Sequence, residues 1–142
     1  MPVDQVNIHA NCIALDGKGV LLTGASGSGK SDLSLQMMAL GAQLVADDRV
    51  ILETKGGNLY ASPPSTTAGL IEARGLGILK ATHAAVATVI AAVDLDNQEE
   101  SRLPPERWVT YLRCEIPLFY RPSSVHSAPA LLQLLRCGRS DR

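Results

Sequence analysis

Aromatic side chains are scarce in this sequence. Phe, Tyr and Trp together make up 4% of 142 residues, although 46% of the chain is apolar. A core in such a chain is built from Ala, Val, Leu and Ile. Charge of one sign is also missing: 13 Lys and Arg face 14 Asp and Glu, for a net charge of -1. That gives no electrostatic case for nucleic acid or an anionic membrane as a bulk partner. The three cysteines, Cys12, Cys114 and Cys137, are far apart and form no CxxC pair. This argues against a disulfide frame or a zinc site and for reduced thiols in the cytoplasm. No long hydrophobic run occurs. The longest, Ala84 to Val93, is interrupted by Thr88 and is too short to span a bilayer. The opening MPVDQVNIHA carries an acid and no apolar stretch, so no signal peptide is expected. The length suits one domain over residues 1–142, with no repeat or dividing linker.

What is present begins with alternation. In residues 6–15, VNIHANCIAL, Ile8, Ala10, Cys12 and Ala14 share one face and Asn7, His9 and Asn11 the other, which predicts a half-buried strand. DGKG at 16–19 is a turn, and Val20 to Thr23 is a short apolar strand. Ser31 to Leu40 is a helix with Leu33, Met37 and Leu40 on one side and Gly41 as its stop. Gln43 to Ala46 is a strand ending in Asp47 and Asp48. Val50 to Thr54 and Leu59 to Ala61 make a hairpin around KGGN. Residues 62–69 and most of 69–79 are expected to be loop, because their prolines and glycines suit neither helix nor sheet interior. Val86 to Leu95 is a buried strand, residues 96–108 a polar surface segment, and Arg113 to Phe119 a further strand. Ala128 to Cys137 closes the chain as a helix with Leu131, Leu134 and Leu135 on one face, before a basic tail.

Residues 24–31 carry the chemistry. Gly24-Ala25-Ser26-Gly27-Ser28-Gly29-Lys30-Ser31 fits G-x-x-x-x-G-K-[ST], following an apolar strand and opening a helix as that motif requires. Its glycines let backbone amides wrap an anion, and the helix N-terminus adds its positive dipole end. Lys30 would reach the β and γ phosphates of a nucleotide, and the Ser31 hydroxyl would bind Mg²⁺. Such a loop does not choose a reaction. No guanine-reading NKxD is present, and the chain has no room for the partner domains of a motor, which leaves a kinase. Asp47 and Asp48 then follow at a strand end beside the loop. One carboxylate there can take the proton of an acceptor hydroxyl, and the other can hold Mg²⁺ or its water shell. A small-molecule kinase and a non-catalytic nucleotide-sensing module are the alternatives. The first would need an Arg-rich lid, and residues 96–113, with Arg102, Arg107 and Arg113 among glutamates and prolines, make a weak one.

The run GASGSGKSDLSLQMMALGAQLVADDRV resembles the catalytic core of the bacterial HPr kinase/phosphorylase family, in which the loop leads through a short helix into L-V-A-D-D. IEARGLGIL at 71–79 is similar to that family's second signature, and His9 stands fifteen residues before Gly24, as a histidine does there. The chain resembles the short alphaproteobacterial form, which corresponds to the C-terminal catalytic domain and lacks the N-terminal regulatory domain. The resemblance implies an α/β fold with a mixed β-sheet and flanking helices, similar to the nucleotide half of phosphoenolpyruvate carboxykinases. It implies a cytoplasmic ATP- and Mg²⁺-dependent kinase acting on a serine of HPr, with a reverse phosphorolysis, working as a hexamer. By match, Asp48 is the base, Asp47 supports it or the metal, Glu72 is a second Mg²⁺ ligand, Arg74 stabilises charge and His9 lies beside the site. Arg102 is a weaker match to an arginine that follows the family's central strand. One departure stands out. The family has a later P-x-R-P-G-R-N loop tied to the phosphorylase direction, whereas residues 119–127 read FYRPSSVHS, keeping Arg121 and Pro122 without the Gly-Arg-Asn.

Overall fold

The computed structural model describes residues 4–123 and 126–140. Its elements run β1 (Gln5–Leu15), β2 (Lys18–Thr23), α1 (Lys30–Ala39), β3 (Gln43–Ala46), β4 (Arg49–Lys55), β5 (Asn58–Ser62), β6 (Leu70–Ala73), β7 (Gly77–Lys80), β8 (Ala87–Gln98), β9 (Trp108–Tyr111), β10 (Cys114–Arg121) and α2 (Ser127–Cys137). Eight strands form one mixed sheet in the order β2-β1-β4-β5-β8-β10-β9, with β3 on β1. The path closes on itself, because β2 pairs antiparallel with β1 and parallel with β8. Strands β2, β1, β4, β5 and β8 therefore ring a small core.

That closure explains the missing aromatics. Inside the ring pack Ala10, Cys12, Ala14, Leu21, Val50, Leu52, Ala61, Val89 and Ala92, all buried. A narrow barrel takes side chains of this size, alternating small and large. At Gly19 a Cβ would stand 3.1 Å from Cys12 Sγ and 3.2 Å from Ala87 Cβ, so the walls there approach as closely as a glycine allows. Burial pushes the Cys12 thiol up to about 12, an inert packed group. The second core lies outside the ring, where Ile13, Leu22, Leu44 and Val93 meet Leu33 and Met37 of α1 and Leu131, Leu132 and Leu135 of α2.

β1 is thus not half-buried. From Ala10 to Ala14 both of its faces are covered, by the ring interior on one side and the helices on the other. On α1, Leu33 and Met37 are buried but Leu40 is exposed, because the helix ends one residue earlier and Leu40 becomes its C-cap. On α2 the buried stripe is Leu131, Leu132 and Leu135, with Leu134 at its rim. The glycine-rich stretch expected to be loop is a two-stranded hairpin, with Leu70 opposite Lys80 and Ala73 opposite Gly77. Its glycines punctuate the strands instead of interrupting them: Gly75 and Gly77, both at positive φ, make the turn. The segment 96–108 holds the end of β8 and leads into β9, an edge strand the sequence pattern did not reveal. Among the described residues no helix is long and apolar enough to cross a membrane. Arg142, part of the basic tail, and Ser124 and Val125 of the 119–127 stretch lie outside the described residues.

Candidate functional site

The glycine loop leaves the end of β2 and turns into α1. Gly24 holds φ 141°, and a Cβ there would lie 2.7 Å from Ser28 Oγ, so the turn admits no side chain. Gly29, at φ 101°, is the N-cap and offers no side-chain cap, which leaves the first N–H groups of α1 open to a ligand. Lys30 is buried, and its ammonium donates to the carbonyls of Gly24 (2.7 Å) and Ala25 (3.0 Å). The Ser28 hydroxyl is buried in the loop without a protein partner.

The two aspartates interrupt what would otherwise be one strand. β3 and β4 both lie antiparallel to β1, with Cys12 opposite Ala46 and His9 opposite Arg49. The register is unbroken across the gap, so Asn11 faces Asp47 and Ala10 faces Asp48. Asp48 sits at φ 68°, and the Arg49 N–H donates to the Asp47 carbonyl (2.7 Å), closing a tight turn around it. A non-glycine residue in this region costs about 1–3 kcal/mol, and such conformations cluster at functional sites. The turn aims the two carboxylates differently. Asp47, 9% exposed, receives the Ser31 hydroxyl (2.7 Å) and the Asn11 amide (2.7 Å) on Oδ1 and the Glu72 backbone N–H (2.9 Å) on Oδ2. Asp48 points outward with its side chain 70% exposed, and His9 Nε2 lies 2.9 Å from its Oδ1.

A cleft of about 520 Å³ joins these parts, a size suited to a small-molecule ligand. It is lined by His9, Ser26, Gly27, Gly29, Lys30, Ser31, Asp47, Asp48, Glu72 and Arg74, ten of the thirteen residues that sequence reasoning selected. Gly24, Ala25 and Ser28 form the far side of the loop and do not line it. The β6–β7 hairpin is the opposite wall, carrying Glu72 and Arg74 on exposed positions. Arg102 is exposed in the β8–β9 connection and does not reach the cleft.

Asn11 and Asp96 contribute without a site motif in the sequence, and Arg121, kept from the family's later loop, joins them. Asn11 looked like a residue on a solvated face, yet it shares that face with His9, and this was the available signal. Asp96, near the end of β8, accepts the Ala25 N–H on both carboxylate oxygens (3.1 Å each). Arg121, at the end of β10, donates to the Ser28 carbonyl and to the Leu95 carbonyl (3.1 Å). Asp96 and Arg121 grip the loop from behind; no local pattern marks Asp96, which comes from a distant strand, whereas Arg121 belongs to the 119–127 stretch that resembles the family's later loop.

The family model for the HPr serine kinase C-terminal domain matches residues 3–94. The chain belongs to this family. Similar relatives include the HPr kinase/phosphorylase of Clostridium botulinum (strain Eklund 17B / Type B), 37% identical over 79 residues, which are 56% of this chain and 26% of that protein. That of Clostridium tetani is 41% identical over 75 residues, 53% of this chain and 25% of the relative. The chain thus spans about a quarter of the length of these curated relatives. The HPr(Ser) kinase/phosphatase from Coxiella burnetii has a similar solved structure, with a TM-score of 0.75 and 28% identity, covering 92% of this chain and 93% of that one. The mixed sheet with two helices is therefore that of an HPr serine kinase C-terminal domain.

The donor chemistry of this domain fits a nucleotide with Mg²⁺. The loop offers amides, an ammonium and an uncapped helix end for phosphates. Among the described residues no group of three or more His, Cys, Asp or Glu side chains could cage a metal by itself. Mg²⁺ characteristically uses one or two carboxylates, waters and the substrate's own phosphates. Ser31 and Asp47, already hydrogen-bonded to each other, are such a partial set, and Glu72 stands nearby.

Proposed function

We propose that this chain is a Mg²⁺- and ATP-dependent kinase that phosphorylates a serine of an HPr-type phosphocarrier protein. The observation that carries the reading is the division of labour between the adjacent aspartates: Asp47 tied to the loop serine, Asp48 exposed and paired with His9. Loop amides and Lys30 would hold the β and γ phosphates, Lys30 exchanging its carbonyl partners for phosphate oxygens. Ser31 and Asp47, with Glu72, would hold Mg²⁺, which supplies charge neutralisation on the transferring group. Asp48 takes the proton from the acceptor serine hydroxyl as its oxygen bonds to the γ phosphorus and the bond to the β-phosphate oxygen breaks, releasing ADP. Arg74, across the cleft, faces the charge that develops on the phosphoryl oxygens. Run backwards with inorganic phosphate as acceptor, the same groups would return the proton to the serine oxygen and yield pyrophosphate.

Exposed apolar side chains beside the cleft, Leu76 and Ile78 on the hairpin, favour a protein acceptor over a small molecule. We further propose that the domain works as a homo-oligomer in the cytoplasm, as the family resemblance implies. The test is to incubate the chain with ATP, Mg²⁺ and HPr from the same organism and measure the mass of HPr. A single phosphoryl group on a serine is expected. Unmodified HPr with intact ATP binding would overturn the acceptor, and the absence of ATP binding would overturn the kinase.

A further inference from the structure

Four polar or charged side chains are buried among the described residues: Asn11, Lys30, Ser34 and Asp47. They are linked. The Ser34 hydroxyl donates to the Lys30 carbonyl (2.8 Å), Asn11 Nδ2 donates to Ser34 Oγ (3.0 Å) and to Asp47 Oδ1 (2.7 Å), and Asn11 Oδ1 accepts the Asp48 N–H (2.8 Å). Resting on the phosphoryl-transfer reading above, we infer that Asn11 is a positioning residue: its amide fixes the metal-holding carboxylate of Asp47 relative to the base Asp48.

The case is geometric. Asn11 lies opposite the acid turn on β1, fully buried, and its planar amide is tied at three points. Only one orientation works. Flipped, the amide would set its oxygen against the Asp47 carboxylate and its NH₂ against the Asp48 N–H. Asn is also the residue type the place demands. Asp at position 11 would oppose Asp47, Ser is too short to reach both acids, and Leu would fill the space while orphaning the Asp48 N–H. One side chain thus holds a carboxylate by its oxygen and the next residue by its backbone, at the point where φ is strained. Hydrogen bonds to metal-holding carboxylates orient them and are costly to remove.

The test is calorimetric titration of ATP into the full chain, in EDTA and in Mg²⁺, for native protein, Asn11→Leu and Ser34→Ala. For Asn11→Leu, binding in EDTA is expected within about twofold of native, while the gain on adding Mg²⁺ falls roughly 10–100-fold. In turnover, kcat should fall with the acceptor KM unchanged. Ser34→Ala removes the other partner of Asn11 but leaves both aspartate bonds. It should lower the melting temperature as Asn11→Leu does, yet keep the native Mg²⁺ gain. An Asn11→Leu protein with native Mg²⁺ gain, or a Ser34→Ala protein that loses as much, would reduce Asn11 to a packing role and overturn the inference. Should Asn11→Leu not fold, Asn11→Ser must show the same selective loss, and a native gain there overturns the inference equally. Native protein with no Mg²⁺-dependent gain would sink the phosphoryl-transfer reading itself, a different outcome from either.

Discussion

The two walls of the cleft are built on opposite principles. On one side the acid turn is locked: Asp47 accepts three hydrogen bonds, and the backbone on either side of Asp48 is tied to β1. On the other, the β6–β7 hairpin projects with Leu76 79% exposed and Ile78 62% exposed, and the Glu72 N–H anchors it to Asp47. Groups that handle a proton and a metal need fixed placement, which sheet and helix ends provide. Groups that meet a large acceptor can sit on a short ribbon able to adjust.

The largest effect that would sharpen the contrast is at Asp48. Asp48→Asn tolerates the same left-handed backbone but cannot take a proton. It should lower kcat roughly 10²–10⁴-fold with ATP binding retained. A loss of ATP binding instead would mean that the two aspartates do not divide their tasks. Asp47→Asn should act on the metal: the Mg²⁺ concentration for half-maximal rate rises, with a rate loss of roughly 10–100-fold at fixed Mg²⁺.

The hairpin should respond differently. Leu76→Ser with Ile78→Ser should raise KM for the protein acceptor about fivefold, equivalent to about 1 kcal/mol of lost apolar contact, and leave KM for ATP unchanged. An equal change in both constants would break the comparison, since the hairpin would then serve the nucleotide. The smallest effect lies outside both walls. Arg107, stacked 4.0 Å over the Tyr120 ring, holds Glu99 below the usual carboxylate range, chiefly by its side-chain hydrogen bond. Stability from this pair is present above the ordinary glutamate range and declines as pH falls through the lowered value. Arg107→Ala should flatten that part of a melting-temperature against pH curve while leaving turnover intact.

The locked wall was largely legible in the sequence, because glycines, Lys30, Ser31 and the paired aspartates advertise themselves by type and spacing. Helix α1, strand β3 and hairpin β4–β5 follow the same local logic of period and turn. What escaped notice depends on closure. Asn11 reads as a polar residue on a strand's wet face until the ring and helices cover both sides. Asp96 is an ordinary strand-end charge until β8 brings it beneath the loop, and Arg121, visible in the sequence only by resemblance, reaches the same place through β10. The hairpin is hidden for a local reason: glycine, ordinarily a strand breaker, acts here as a corner.

That grip from behind has a consequence for how the molecule assembles. Asp96 stands 71 residues after its partner Ala25, and Arg121 stands 93 after Ser28. A nascent chain that has emerged only to residue 94, where the family match ends, contains every phosphate-loop residue but neither of the side chains that shape it. Closing such long intervals is slow compared with forming a neighbouring helix turn. The shape of this loop should therefore be completed late in folding, together with the docking of β10.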